Sequence, residues 1–328
     1  MLCEGDIFDG LKLLKRCGSG AFGTVFYCQD VSEKKMALKI ISKTQLGAYW
    51  ERELKGVKNY RKITERNGSL LQIYHVKEGE KYFYYTMEPA DSVSSTEYIP
   101  DTLARRLTYG ALPENKLWSV LSKVFNDVKL IHESGFLHRD IKPDNILFVN
   151  GEPKLADIGL FSSLTVTVTQ MAGTLDYIPP EIRSSSEHLD STDKNIRQRN
   201  DLYALGMVIY CAVSGNSPRD YPTLPAKTNL KSPAIKYFYR LALILCDKDP
   251  LNRIVSLSDL SEEFARIEKT LKNGYNWRYQ SGYLSKSLWR WLRSAFTHTG
   301  DWLSRYSELL FILILLLALL IHFIKLTT

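Results

Sequence analysis

Hydrophobic and polar positions fall into three patterns along this chain. Short apolar runs predict strands: Leu11–Lys15, Thr24–Cys28 and Met36–Ile41, the last carrying a single lysine, Lys39. Ile146–Val149 and Pro153–Leu155 predict a hairpin, because Asn150-Gly151 between them is a strong two-residue turn signal. In Trp50–Val57, Leu54 and Val57 have the helical apolar spacing that packs one face on a sheet. The third pattern is an unbroken apolar run, Leu309–Ile321, near the end. Taken from 306 to 324 it predicts a helix of about 28 Å, enough for a hydrocarbon core of about 30 Å, with a buried core helix as the alternative.

The segment before that run has its own polarity. On a helical projection Lys286, Arg290 and Arg293 share one face, opposite Leu288, Trp289, Trp291, Leu292, Ala295 and Phe296. This predicts an amphipathic helix over 286–305 lying on a membrane surface, or else docking on the chain's own globular part. Trp302 and Tyr306 fall where interfacial aromatics belong, and the positive charge predicts that the preceding chain is cytoplasmic. Residues 268–285, polar and containing Gly274 and Gly282, read as a linker.

Composition changes this picture little. A chain of 328 residues, 45% hydrophobic and 24% charged, can hold a large two-part globular unit and a tail. The net charge of +7 comes with no basic block in the globular part, which argues against nucleic acid as a partner. Cys3, Cys17, Cys28, Cys211 and Cys246 are scattered and odd in number, which predicts reduced thiols, with no disulfide frame or metal site. The start, Met1–Asp6, has no signal-peptide pattern, and no internal repeat is evident.

Candidate chemistry concentrates in His138-Arg139-Asp140-Ile141-Lys142-Pro143-Asp144-Asn145. A carboxylate, an amine and an amide at these offsets are the groups needed to move a phosphoryl group from a nucleotide to a hydroxyl. Gly18-Ser19-Gly20-Ala21-Phe22-Gly23-Thr24-Val25 lies between two strand runs, whereas a dinucleotide-binding fingerprint would open a helix. Lys39 in an apolar strand is costly unless paired, and the following helix offers Glu53, with Glu51 as the fallback. Asp157-Ile158-Gly159 follows the hairpin, and Gly173-Thr174 and Pro179-Pro180-Glu181 come next, before Asp201–Gly206.

In this order the motifs resemble a eukaryotic-type (Hanks-type) serine/threonine protein kinase over residues 11–267. The resemblance implies an α+β bilobal fold, with a small β-rich N-lobe and a larger α-helical C-lobe over 8–267, here followed by a C-terminal transmembrane helix. ATP and Mg2+ are the implied cofactors. Gly18, Ser19, Gly20, Ala21, Phe22 and Gly23 would cover the phosphates, and Val25 would pack on adenine, with Ala37, Met87 and Glu88 completing the nucleotide site. Lys39, held by Glu53, would grip the phosphates, while Asn145 and Asp157 would hold magnesium. Asp140 would accept the hydroxyl proton, and Lys142 would stabilise the transferred group. The helix that includes Asp201 would anchor the catalytic loop.

Two departures from the family pattern are Ile158, where phenylalanine is usual, and Pro179, where alanine is usual. Arg139 would order a phosphate on Thr165, Thr167 or Thr169, whereas Thr174 reads as structural. The expected partners are proteins with Ser/Thr acceptors, membrane lipid, and a second copy for trans-autophosphorylation. A short chain with one terminal anchor points to a bacterial inner membrane, with a eukaryotic tail-anchored protein as the alternative. A catalytically weak pseudokinase scaffold and a small-molecule phosphotransferase are the competing functions.

Overall fold

The computed structural model describes residues 2–20, 23–157, 175–183, 194–254 and 256–273. Residues 1–248 and 254–274 form one compact unit, whose fold follows; 249–253 and 275–328 form a second. A six-stranded antiparallel sheet in the order β1-β2-β3-β4-β6-β5 makes the first lobe. Its strands are β1 (Ile7–Phe8), β2 (Leu11–Gly20), β3 (Gly23–Gln29), β4 (Lys35–Ser42), β5 (Ile73–Glu78) and β6 (Tyr82–Met87). Helix α1 (Trp50–Thr64) lies between β4 and β5 in sequence.

The period-2 alternation of strands sorts this sheet into two faces. Phe26, Cys28, Met36, Leu38 and Tyr84 pack with Phe8, Leu11 and Leu13 in a small outer cluster. Ala37, Ile41, Phe83, Tyr85 and Met87 face the other way, into the main core with Leu54, Val57 and Tyr60 of α1. Lys39 falls between Ala37 and Ile41 in this alternation, so the pleat carries it to the inner face.

The second lobe is helical: α2 (Glu114–Glu133), α3 (Lys194–Ser214), α4 (Pro233–Leu245) and α5 (Leu257–Asn273). Beside them runs the hairpin β7 (Ile146–Val149) and β8 (Glu152–Leu155). Its turn residues Asn150 and Gly151 have φ of 53° and 78°, the left-handed pair that an Asn-Gly turn supplies. Asp127 of α2 accepts a hydrogen bond from Leu155 N at 3.1 Å, which fixes the hairpin against the helix.

Among the described residues no helix is long and apolar enough to cross a membrane. The expected fold is corrected on that point: the two lobes are present, and no transmembrane helix belongs to the described structure. The 20-residue α2 carries Glu114, Lys116, Lys123, Asp127, Lys129 and Glu133 along its length, and α3, though buried throughout 201–214, holds the charged Asp201 within that stretch. The expected linker, amphipathic helix and membrane helix lie, from residue 274 on, outside the described residues. The membrane anchor, the lipid partner and the bacterial inner-membrane location are withdrawn with them.

Candidate active site

Lys39 is the first group of the site. Val25 lies opposite it on β3 and Tyr85 opposite it on β6. Its Nζ donates to Asp157 Oδ1 at 2.7 Å. Burial alone would lower the lysine's pKa, but Asp157, with Tyr85 and Glu53, raises it overall. For Asp157 burial opposes ionisation, and Lys39 outweighs it, holding the carboxyl below its usual value. Both groups are therefore charged at neutral pH. Tyr85 Oη lies 3.4 Å from the same Asp157 oxygen.

The expected Lys39–Glu53 ion pair is not formed. Glu53 does point inward and is 6% exposed, whereas Glu51 is exposed. One of its carboxylate oxygens, Oε2, is buried with no hydrogen-bond partner. Burial pushes its pKa up to about 8, against the pull of Lys39 and with help from Asp157. The lysine has one ammonium to place, and the carboxylate 118 residues further on has taken it.

The catalytic-loop residues are held from below. Asp201 at the middle of α3 accepts from His138 N at 2.8 Å and Arg139 N at 2.7 Å, and His132 Nε2 lies 2.8 Å from its Oδ2. These bonds fix the loop where Arg139 takes φ of 69°, a left-handed conformation that a side chain rarely adopts. Burial would raise the Asp201 pKa, but His132 and the backbone donors lower it below the usual value. His138 is buried, with Nε2 2.9 Å from Ala156 O, and burial lowers its pKa. Ala156 N also donates to Asn145 O at 2.7 Å, which joins the loop to the strand end that delivers Asp157.

Above this support Asn145 Nδ2 donates to Asp140 O at 2.7 Å and to Asp140 Oδ2 at 2.8 Å. Lys142 Nζ lies 2.8 Å from the same Oδ2. Asp140 Oδ1 is left buried and without a partner. One carboxylate oxygen is thus locked by two donors while the other is unoccupied, an arrangement suited to accepting a proton from an incoming hydroxyl.

The remaining predicted residues are distributed as follows. Gly18, Ser19, Gly20 and Gly23 form the ends of the β2–β3 hairpin, with Gly18 opposite Val25 and Gly20 opposite Gly23. At Gly23, φ is 142° and an added Cβ would meet Ile40 O at 2.2 Å, so glycine is required there. Ala37 pairs with Met87, and both lie on the inner sheet face with Val25 packed beside them. Glu88 continues from β6, and its carboxylate accepts from Gln72 N at 2.9 Å and Lys154 Nζ at 2.7 Å. Ala21, Phe22, Ile158, Gly159, Thr165, Thr167, Thr169 and Thr174 lie outside the described residues.

Sequence reasoning missed Tyr85 and His132. Tyr85 could have been found from the alternation in Tyr82–Met87, which sets it on the face of Met87. Among the described residues no group of three or more His, Cys, Asp or Glu could hold a metal alone. The donor set suits magnesium, which is held by one or two carboxylates together with phosphate oxygens and water. Asp157 is one such carboxylate. Asn145 has committed its amide nitrogen to Asp140, and its oxygen is the atom left for a cation.

A cleft between a β-rich and a helical lobe, with a lysine, two aspartates and an asparagine converging, defines a phosphotransfer enzyme fold. Residues 11–273 match the protein kinase domain family, and the chain belongs to it. That family works with ATP and Mg2+. The chain is 28% identical over 224 residues to Aurora kinase B of Xenopus tropicalis, covering 66% of this chain and 56% of the relative. With serine/threonine-protein kinase D of Synechocystis it shares 26% over 235 residues, 66% of this chain and 43% of the relative. The dual specificity protein kinase Ttk of Danio rerio is 25% identical over 212 residues, 63% of this chain and 21% of its own length. The chain therefore spans less than two thirds of the length of each of these relatives. The crystal structure of the PknI kinase domain from Mycobacterium tuberculosis superposes with a TM-score of 0.57 at 19% identity, covering 82% of this chain and 99% of that one, a likeness of fold. The expectation of a membrane-anchored member is replaced by the family assignment alone, since among the described residues no helix is long and apolar enough to cross a membrane.

Proposed function

We propose that this chain transfers the γ-phosphate of ATP to serine or threonine hydroxyls of proteins. The observation that carries this reading is the Asp140 carboxylate, with Oδ2 held by Asn145 and Lys142 and Oδ1 buried without a partner. Asp140 Oδ1 accepts the proton of the acceptor hydroxyl, and Lys142 offers positive charge to the group in transfer. Lys39 orients the nucleotide phosphates beneath the β2–β3 hairpin. Val25, Ala37 and Met87 supply the apolar surface for adenine, with Glu88 at its edge. Asp157 and the Asn145 amide oxygen would hold magnesium, which when bound neutralises charge on the phosphates. Most of the rate gain comes from positioning and electrostatics, since the transition state needs little covalent help.

The serine/threonine preference rests on Lys142, two residues after Asp140, with the serine/threonine-protein kinase D of Synechocystis among the matched relatives. A scaffold without chemistry has no observation in its favour, because Lys39, Asp140, Lys142, Asn145 and Asp157 all converge on the cleft. The test offers a mixed Ser/Thr peptide pool, a tyrosine peptide, an aminoglycoside and choline side by side, with labelled Mg-ATP. Label on serine or threonine alone is expected. Label on a small molecule, or on tyrosine alone, contradicts the reading.

A further inference from the structure

The segment after Glu88 does more than join the lobes. Residues 91–101 form a loop closed at its base, where Asp101 N donates to Asp91 O at 2.8 Å and Ser92 bridges Pro100. The base is tied to the large lobe, since the Asp91 carboxylate accepts from Asn150 N at 2.9 Å and Gly151 N at 2.7 Å. Inside the loop, Ser92 Oγ accepts from Ile99 N at 3.1 Å and donates to Ser94 O at 2.8 Å, so the loop holds its own shape. Its tip reaches the small lobe. The Tyr98 ring stacks on Tyr27 of β3, with centroids 3.6 Å apart and planes 5° from parallel. Glu97 lies 3.2 Å from Lys15 of β2. Tyr98 Oη also donates to Ala90 O at 2.9 Å, in the strand-to-helix connection three residues past Met87.

Tyr27 sits two residues from Val25 on the same pleat face, and it lies opposite Ala37. The stack therefore borders the apolar surface assigned above to adenine. We propose that loop 91–101 is a clasp: Tyr98 and Tyr27 are positioning residues that fix the β2–β3 hairpin at its working height over the nucleotide and close the outer edge of the cleft. The inference rests on the reading of the cleft as a nucleotide site. The stack carries the clasp, because the Lys15–Glu97 pair is exposed and contributes little.

The experiment measures Mg-ATP affinity together with KM and kcat for Tyr98→Ala, Tyr27→Ala, the double variant and Tyr98→Phe in the full chain. Aromatic pairs in general correspond to about a two- to tenfold effect. Each alanine variant is expected to raise Kd and KM for ATP by that factor, with kcat changed less. The double variant should be no weaker than either single, and Tyr98→Phe, which keeps the stack, should bind within about twofold of wild type. Where alanine at 98 impairs folding, Tyr98→Leu, which fills the space without a planar face, replaces it. Wild-type binding left unchanged by both single variants, or a double effect equal to the product of the singles, overturns the clasp alone. Wild-type protein that does not bind Mg-ATP overturns the nucleotide reading and the clasp with it.

Discussion

Glu53 is a place where the charge layout around Lys39 bears directly on stability. It is 6% exposed, has one carboxylate oxygen without a partner, and is pushed from 4.5 up to about 8. Burial is the main cause, Lys39 opposes it, and Asp157 adds to it. In the folded chain the carboxyl keeps a proton that the unfolded chain gives up. Stability is therefore full below about pH 4.5 and falls as pH rises towards about 8, by roughly 1.4 kcal/mol per pH unit for this one group. Sharing of charge with Lys39 and Asp157 reduces the total, which leaves about 2–4 kcal/mol lost by pH 8.

Glu53→Gln keeps the shape and cannot ionise. Urea unfolding followed by circular dichroism between pH 5 and 8.5, without nucleotide, should give nearly equal stabilities at pH 5. The two should diverge until the variant is more stable by about 2–4 kcal/mol at pH 8, or roughly 5–15 °C in midpoint. Parallel pH profiles for the two proteins would refute the reasoning. So would a variant less stable than wild type at pH 8, since that requires Glu53 to be ionised and paired in the folded chain.

Three further outcomes are expected. Asp201→Asn leaves an amide that cannot accept from both His138 N and Arg139 N, so it should cost about 2–4 kcal/mol in chemical denaturation and lower kcat through a loosened catalytic loop. Because the Asp201 pKa is held below its usual value, the stability it contributes is present above about pH 4 and is lost as pH falls through its folded pKa, a step that the Asn variant should lack. Gly206→Ala would place a Cβ 2.5 Å from Leu245 Cβ and 2.8 Å from Cys246 Sγ, so α3 and α4 must part and the unfolding free energy in urea should drop by about 1–3 kcal/mol. Burial pushes the thiols of Cys17 up to about 11 and of Cys28 and Cys211 up to about 12; iodoacetamide at pH 8 followed by mass mapping should label the exposed Cys3 first and spare these three.

What the sequence disclosed was local. Asn150-Gly151 specifies its turn within two residues, and the strand runs around the glycines and Lys39 carry the period-2 signal that builds the small lobe. The helical spacing of Leu54 and Val57 sufficed to turn Glu53 inward rather than Glu51. The partner of Lys39 was not legible in the same way. Glu53 and Asp157 are both carboxylates able to reach it, and the outcome depends on how α1 and the end of β8 are set against the sheet, a long-range packing result. The Tyr27–Tyr98 stack was hidden for the same reason, since a loop of serines and threonines gives no sign of what its tip will meet. The C-terminal apolar run, for which length and hydropathy predict a spanning helix, lies outside the described residues, none of whose helices is long and apolar enough to cross a membrane.

Transfer of labelled γ-phosphate from Mg-ATP by the full chain, wild type beside Asp140→Asn, tests the central claim most directly. Asparagine keeps the size and an oxygen but cannot take up the acceptor's proton, so turnover should fall by about 10²- to 10⁴-fold while Mg-ATP affinity stays within a few-fold. Equal turnover in the two proteins, or a wild type that binds Mg-ATP and labels no serine or threonine, would contradict the account.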